Sequence, residues 1–363
     1  MHKTFRILID AREFATNRTT GIGRVLEGLI DALAEASFIK GIVLSVLHAA
    51  AVPYKLRDRE KIKTAKIPEK FIKAEAALTA FSGRNVDLFI SPYSKLPLFG
   101  SYCRSINIVH DVLDLTHPAY RRRVRVHFDR FRLKAALRKA ALTWYDSAAS
   151  MVETEKLIGY TGNNPKVRHL GIEDRFNTGA DDANHILAKY NLNSGYIVVV
   201  GNGLPHKNIN ILLDISTELS RQFVLVGVPE QNKKYWTDRY PQARALWIPY
   251  VNNRDLPALI RSAFCLAQPS TAEGYGLPPL EAMACGIPAV VSNIPVLLET
   301  TGSNAFTVNP HDARAWLDAF ESLENNNIYQ SQVEKGLRWV EQFRGRKGWE
   351  KHISDIEELI KGN

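Results

Sequence analysis

The stretch 264–299 limits the possible folds more than any other. Phe264-Cys265-Leu266-Ala267 is an apolar run of strand length, 270–276 is a polar loop with two glycines, and 277–285 reads as a helix. Pro278 and Pro279 suit a first helical turn, whose N–H groups have no intrahelical partner for proline to remove. Gly286 stands where a helix ends, and 287–291 begins another strand. A strand–loop–helix–strand order builds a parallel α/β sheet, which binds ligands at the carboxyl ends of its strands. Two carboxylates fall at such an end, Glu273 on the loop and Glu281 in the expected first helical turn. The free amides of a helix N-terminus attract phosphate. Gly274 and Gly276 let a ligand approach the backbone closely. A ligand with both hydroxyls and phosphates fits this pattern, with the backbone of Gly274, Tyr275, Gly276 and Leu277 around the phosphates and the carboxylates on the hydroxyls. For the two glutamates alone, an ordinary packing unit with surface carboxylates is the competing reading.

The uninterrupted string 273–288, Glu-Gly-Tyr-Gly-Leu-Pro-Pro-Leu-Glu-Ala-Met-Ala-Cys-Gly-Ile-Pro, strongly resembles the signature of family 4 of the retaining, nucleotide-sugar-dependent glycosyltransferases. The resemblance implies an α/β chain of the GT-B fold. In that fold two doubly wound, Rossmann-like lobes face a central cleft, and a C-terminal helix crosses back to the first lobe. Its expected domains are an acceptor-binding lobe over 1–175, joined by the helix at about 346–363, and a nucleotide-sugar lobe over 190–345. The resemblance also implies transfer with retention of anomeric configuration. Glu273 would then hold donor-sugar hydroxyls and Glu281 the ribose. No residue stands out as a covalent nucleophile, so front-face attack through an oxocarbenium-like state is expected. The loops most resemble those of bacterial surface-polysaccharide mannosyltransferases. That slightly favours a GDP-mannose donor, with a UDP-sugar close behind, and points to cell-surface polysaccharide or lipopolysaccharide biosynthesis with a saccharide or lipid-linked acceptor.

Further candidates lie along the chain. Residues 5–9 read as a first strand, followed by Thr20-Gly21-Ile22-Gly23-Arg24 and an amphipathic helix. Gly21 and Gly23 opening a helix after a strand could be a phosphate cradle or a plain turn. The family resemblance places this loop beside donor phosphates and acceptor, and makes Arg24 a further cation for them. Strands are expected near 41–47, 86–90 and 105–109, whereas 53–82 is lysine-rich and has no clear boundaries. His110 ends the strand at 105–109. Alone it reads as a structural hydrogen-bonder, but Ile108-Val109-His110-Asp111-Val112 resembles the family segment whose histidine faces the transferred sugar, with Asp111 orienting the loop. A strand at 141–148 should start a helix capped by Asp146 or Ser147. The short segment 166–172 resembles the family's final N-domain strand and turn, with Leu170 where asparagine is usual. The polar stretch 173–194 is the expected linker. Beyond it, the strand 196–200 leads to Gly201-Asn202-Gly203-Leu204-Pro205-His206-Lys207-Asn208 and a helix from about 209. Lys207, with Gly203 nearby, is a candidate for neutralising a donor diphosphate; the alternative is a solvated loop lysine. Asn202 stands where the family often has arginine, so another cation, such as Arg24, would share that charge. The resemblance also puts Tyr250 near the nucleotide base.

The net charge of +9 is concentrated in 121–139, where nine lysines and arginines, among them Arg121, Arg122, Arg123 and Arg125, oppose Asp129 alone. Val124, Phe128, Phe131 and Ala135 recur at helical spacing, so this should be a helix whose apolar stripe packs on the sheet. The same basic helix could instead face an anionic acceptor or membrane surface. Nucleic acid is the disfavoured anion, since no base-stacking pattern accompanies the charge. Cys103, Cys265 and Cys285 form no metal-spacing motif or disulfide framework. No Asp-x-Asp motif is present, so a metal-independent reaction without cofactor is expected. No apolar run reaches the roughly 18–20 residues of a membrane span, and the N-terminus lacks a signal-like apolar region. The expected location is cytoplasmic, or peripheral on the inner face of the plasma membrane. A nucleotide-sugar epimerase of the same fold and a non-catalytic polyanion-binding protein are the alternatives.

Overall fold

A computed structural model describes residues 4–15, 20–118, 123–179 and 183–362. It divides into two compact units, Met1–Gly171 with Gly345–Asn363, and Ile172–Arg344. The first contains the parallel strands β1 (Phe5–Asp10), β2 (Ile39–Val46), β3 (Ile62–Lys66), β4 (Leu88–Ser91), β5 (Arg104–Val109), β6 (Leu142–Tyr145) and β7 (Pro165–Val167), in the order β3-β2-β1-β4-β5-β6-β7. The second contains β8 (Ile197–Val200), β9 (Phe223–Val226), β10 (Ala245–Ile248), β11 (Cys265–Gln268), β12 (Ala289–Ser292) and β13 (Phe306–Val308), in the order β10-β9-β8-β11-β12-β13. The central strands are apolar and buried along their whole length, because helices cover both faces of a parallel sheet. Three edge strands, β3, β10 and β13, were not foreseen. β3 reads Ile-Lys-Thr-Ala-Lys and buries only Ile62 fully, so no apolar alternation marks it.

In the first unit, Thr20 caps the helix Gly21–Glu35 by accepting from Gly23 N at 3.0 Å. Val25, Leu26, Leu29, Ile30 and Leu33 form its buried face. The helix Glu350–Lys361 buries Ile353, Ile356 and Ile360. Its Asp355 accepts from Trp144 Nε1 at 2.9 Å, Lys166 Nζ at 2.9 Å and Arg168 Nε at 2.6 Å, so this buried carboxylate is well satisfied. Trp349 packs where a Cβ on Gly28 would come within 2.9 Å of its ring, and it also fills the space beside Gly171. Gly171 thus serves core packing, and Leu170 beside it is buried.

One expectation is corrected here. In the helix Arg123–Lys139, Phe128 is 43% exposed and Phe131 64% exposed; the face turned inward is Arg132, Leu133, Ala136 and Leu137. Ala135 is only half-buried, and the side chain of Val124 lies outside the described residues. The stripe read as a packing face therefore presents its aromatic rings outward, because Leu133 and Leu137 already fill the inward positions beside Val109 and Tyr145. The described residues of 173–194, the expected linker, make contacts in the second unit. Arg175 donates to the carbonyl of Asn253 at 2.6 Å, and Lys189, in the helix Ala183–Lys189, pairs with Asp255 at 2.6 Å, both within the second unit.

Candidate active site

The second sheet changes direction between β8 and β11, the position at which open α/β sheets bind ligands. The loops leaving those two strands carry Lys207 and Glu273. Lys207 Nζ lies 2.7 Å from Glu273 Oε1. Gln268 Nε2, at 2.5 Å, and Ser270 Oγ, at 2.6 Å, donate to the same oxygen. Among the described residues Oε2 of Glu273 accepts no hydrogen bond, so three donors fix one oxygen and leave the other for a ligand. Burial alone would raise the carboxyl pKa. The charge and hydrogen bond of Lys207, with the Ser270 hydroxyl, outweigh it and hold Glu273 below the usual carboxylate range.

The two loops are tied together beneath this pair. Asn208 adopts the left-handed conformation at φ 51° and donates to the carbonyls of Pro269 (3.0 Å) and Pro310 (2.7 Å). Thr271 N donates to His206 O at 2.8 Å. The crevice above is lined by Gly201, Gly203, Lys207, Gln268 and Ser270. Gly203 has φ 66° and accepts from Trp236 Nε1 at 2.9 Å. Asn202 shapes the loop, its Oδ1 accepting from Leu204 N at 3.2 Å.

Gly276 caps the helix Leu277–Ala284 at φ 92°, where a Cβ would meet Leu297 Cδ2 at 2.5 Å. Pro278 and Pro279 have no N–H, so within the first turn only Leu277 and Leu280 can offer amides. Glu281 lies one turn further along than expected and is 1% exposed. Gly274 is half-buried and Tyr275 buried, and Tyr250 follows β10 on the surface.

In the first unit, His110 follows β5. Its Nδ1 lies 2.6 Å from Asp146 Oδ2 and its Nε2 3.1 Å from the carbonyl of Pro92. Both partners offer acceptor oxygens, so the surroundings favour a proton on each ring nitrogen. Burial opposes the charge of that form, but Asp146 outweighs it and raises the pKa. Asp146 is thus the partner of His110, and Ser147 caps the helix Ala148–Ile158 by accepting from Ser150 N at 3.0 Å. Asp111 Oδ1 accepts from Leu113 N at 2.9 Å and fixes the turn. Gly21 has open space where a Cβ would be, Gly23 is buried, and Arg24 is half-buried in the same helical turn. Arg125 is exposed and pairs with Asp129 at 3.2 Å. Arg121 and Arg122 lie outside the described residues, and Arg123 opens the helix.

Sequence reasoning took Asp146 for a helix cap only, and overlooked Gln268 and Ser270 as partners of the site. A glutamine ending an otherwise apolar strand, five residues before Glu273, is the signal that would have exposed Gln268. An aspartate ending the strand next to that of His110 would have exposed Asp146.

Residues 184–341 match the family model described as glycosyl transferases group 1. The chain is 30% identical over 253 residues to O-antigen chain mannosyltransferase B of Escherichia coli, a match covering 66% of each chain. It is 32% identical over 135 residues to the O-antigen chain mannosyltransferase RfbU of Salmonella typhimurium, covering 36% of this chain and 38% of that one. The matches thus span 66% and 38% of these relatives' lengths. A crystal structure of Anabaena HepE in complex with UDP-glucose superposes with a TM-score of 0.77 at 18% identity, covering 98% of this chain and 99% of that one. At that identity the likeness concerns the fold, two parallel sheets of GT-B type. With the signature string and the matched region in agreement, the chain carries a glycosyl transferases group 1 domain over residues 184–341.

Proposed function

We propose that the protein transfers a hexosyl group from a nucleoside-diphosphate sugar to an acceptor hydroxyl in the synthesis of a cell-surface polysaccharide. The observation that carries this reading is the Lys207–Glu273 pair on neighbouring loops at the switch point of the second sheet. In this proposal Lys207 and the amides of Gly203, Gly274, Gly276 and Leu277 take the diphosphate. Oε2 of Glu273 accepts a donor-sugar hydroxyl, Glu281 holds the ribose, and Tyr250 lies by the base. Asn202 is committed to its loop, so in the second unit Lys207 and the amides carry the phosphate charge; Gly21, Gly23 and Arg24 remain candidates on the first unit. His110, protonated and held by Asp146, has one N–H on a backbone carbonyl that a substrate oxygen can replace.

The bond between the sugar C1 and the phosphate oxygen breaks with its electron pair leaving on the diphosphate. The acceptor oxygen then bonds to C1 from the same face, and its proton passes to the departing phosphate. Lys207 stabilises the charge that develops there, so no metal is required. The relatives named as mannosyltransferases favour GDP-mannose; the superposed UDP-glucose complex favours a UDP-sugar as the second reading. The outward-facing Phe128 and Phe131 among arginines fit contact with an anionic membrane bearing a lipid-linked acceptor. Such contact would place the protein on the cytoplasmic face. Among the described residues no helix is long and apolar enough to cross a membrane.

The test is incubation with GDP-mannose, UDP-glucose or UDP-N-acetylglucosamine and saccharide acceptors, with and without a chelator, following nucleoside diphosphate and glycoside by mass spectrometry. Chelator-insensitive glycoside formation supports the reading. A free or altered sugar without glycoside indicates the epimerase alternative, and no turnover with any donor indicates a binding protein.

A further inference from the structure

The helix Glu230–Arg239 is polar, and Trp236 is its one buried residue. Two of its side chains reach the loop that follows β8. Asn232 Nδ2 donates to the carbonyl of Asn202 at 2.8 Å, and Trp236 Nε1 donates to the carbonyl of Gly203 at 2.9 Å. Residues four apart share one face of a helix, so two successive carbonyls of the loop are drawn to one side. Trp236 itself is seated in the apolar core of the second unit, with Val228.

A trans peptide fixes what this does to the other ends. Its C=O and the following N–H point in opposite directions, and no cis bond occurs among the described residues. Because the helix holds the carbonyl of Asn202, the N–H of Gly203 turns away from the helix. That N–H donates to nothing among the described residues, although Gly203 is buried, and the N–H of Asn202 is equally unpartnered. A buried N–H without an acceptor is costly. Gly203 lines the crevice shared by Lys207, Gln268 and Ser270, so an acceptor bound there would meet it. At φ 66° Gly203 is left-handed, a conformation in which successive N–H groups converge on an anion. A Cβ on Gly203 would come within 2.9 Å of Val228 Cγ1, so the position suits glycine. Asn202 is neutral and its Oδ1 is taken by Leu204 N, so this end of the loop can hold an anion only by its backbone.

We propose that Asn232 and Trp236 are positioning residues for the donor. By drawing the carbonyls of Asn202 and Gly203 to the helix, they aim the Gly203 N–H at an oxygen of the donor diphosphate. They act through the loop and touch no substrate. The proposal rests on the nucleotide-sugar reading of this site.

Asn202-Gly203 is the one Asn-Gly pair of the sequence. The full chain labelled with carbon-13 at the asparagine carbonyl and nitrogen-15 in glycine therefore gives a single amide signal coupled to both labels, that of Gly203. This protein is titrated with GDP and with UDP. The nucleotide that binds should move the signal saturably, with the midpoint found by calorimetry. Asn232→Leu removes the donor from a half-buried side chain, so its melting temperature should stay within about two degrees of the parent. Its affinity for that nucleotide should fall about tenfold, the worth of a misaimed hydrogen bond to a charged group, and its Gly203 signal should start from a changed position. Trp236→Phe, which keeps a ring in the core and loses the N–H, should weaken binding in the same direction. An Asn232→Leu variant that binds as tightly as the parent overturns the proposal, as does a parent whose Gly203 signal stays still while nucleotide binds. Either result strikes the positioning role alone and leaves the transferase reading standing. A loss of affinity that comes only with a melting temperature lowered by many degrees in both variants overturns it too, because the role is then structural. A parent that binds neither nucleotide overturns both readings.

Discussion

Glu273 and Lys207 were each expected to meet the donor, yet here they meet each other. The Glu273 carboxylate competes with a diphosphate for the charge of the Lys207 ammonium, although the ammonium keeps two further N–H donors. Glu273→Gln removes the competing charge. Nucleoside diphosphate should bind this variant as tightly as the parent or several-fold tighter, while transfer falls by about a hundredfold or more, as when one preorganised polar group is lost. A tenfold loss of nucleotide affinity by calorimetry would contradict the pairing argument. A second residue governs acid stability. His352 is buried between Trp144 and Trp349, and burial pushes its pKa down to about 3. The unfolded chain takes up its proton near pH 6.5 and the folded chain does not. His352 therefore lowers stability as the pH falls below 6.5, by about 1.4 kcal/mol per unit. His110 acts in the opposite sense above 6.5, since its folded pKa is raised. His352→Phe should flatten the acid slope in urea titrations between pH 6.5 and 4.5; an unchanged slope would contradict the assignment.

Among the elements, the helix Arg123–Lys139 departs most from its sequence pattern. Its apolar residues recur at helical spacing, but Leu133 and Leu137 claim the inward face and leave Phe128 and Phe131 outside. Because these rings are exposed, a Phe128→Ser, Phe131→Ser double variant should melt within a degree or two of the parent, as surface substitutions do. It should also bind phosphatidylglycerol vesicles several-fold more weakly in a sedimentation assay. Undiminished binding would remove the helix from any membrane contact. The central strands were legible because buried parallel strands are continuous apolar runs, as Ile197–Val200 and 265–267 are. The edge strand Ile62–Lys66 was not, since its lysines face solvent. Lys207, Glu273 and His110 stood out in the sequence as polar residues after strands. Gln268 and Ser270, and Asp146 beyond its reading as a cap, did not, because their contacts with those residues follow no spacing of their own.

Over the whole molecule, each unit is an open parallel sheet whose strand order reverses once, and each reversal gathers charged side chains on the loops beside it. In the second unit the pair Lys207–Glu273 sits there, within the region matching the group 1 glycosyl transferases. In the first unit Arg12, paired with Asp10 and Glu75, sits there. In the proposed reaction Lys207 of the second unit holds the nucleoside diphosphate of the donor. Calorimetric titration of GDP and UDP into the full chain and into Lys207→Ala, without magnesium, tests that claim most directly. One nucleotide should bind the parent, and the variant should bind it about ten- to a hundredfold more weakly, the loss expected for one charged hydrogen bond. A parent that binds neither nucleotide, or a variant that binds as tightly as the parent, would contradict it.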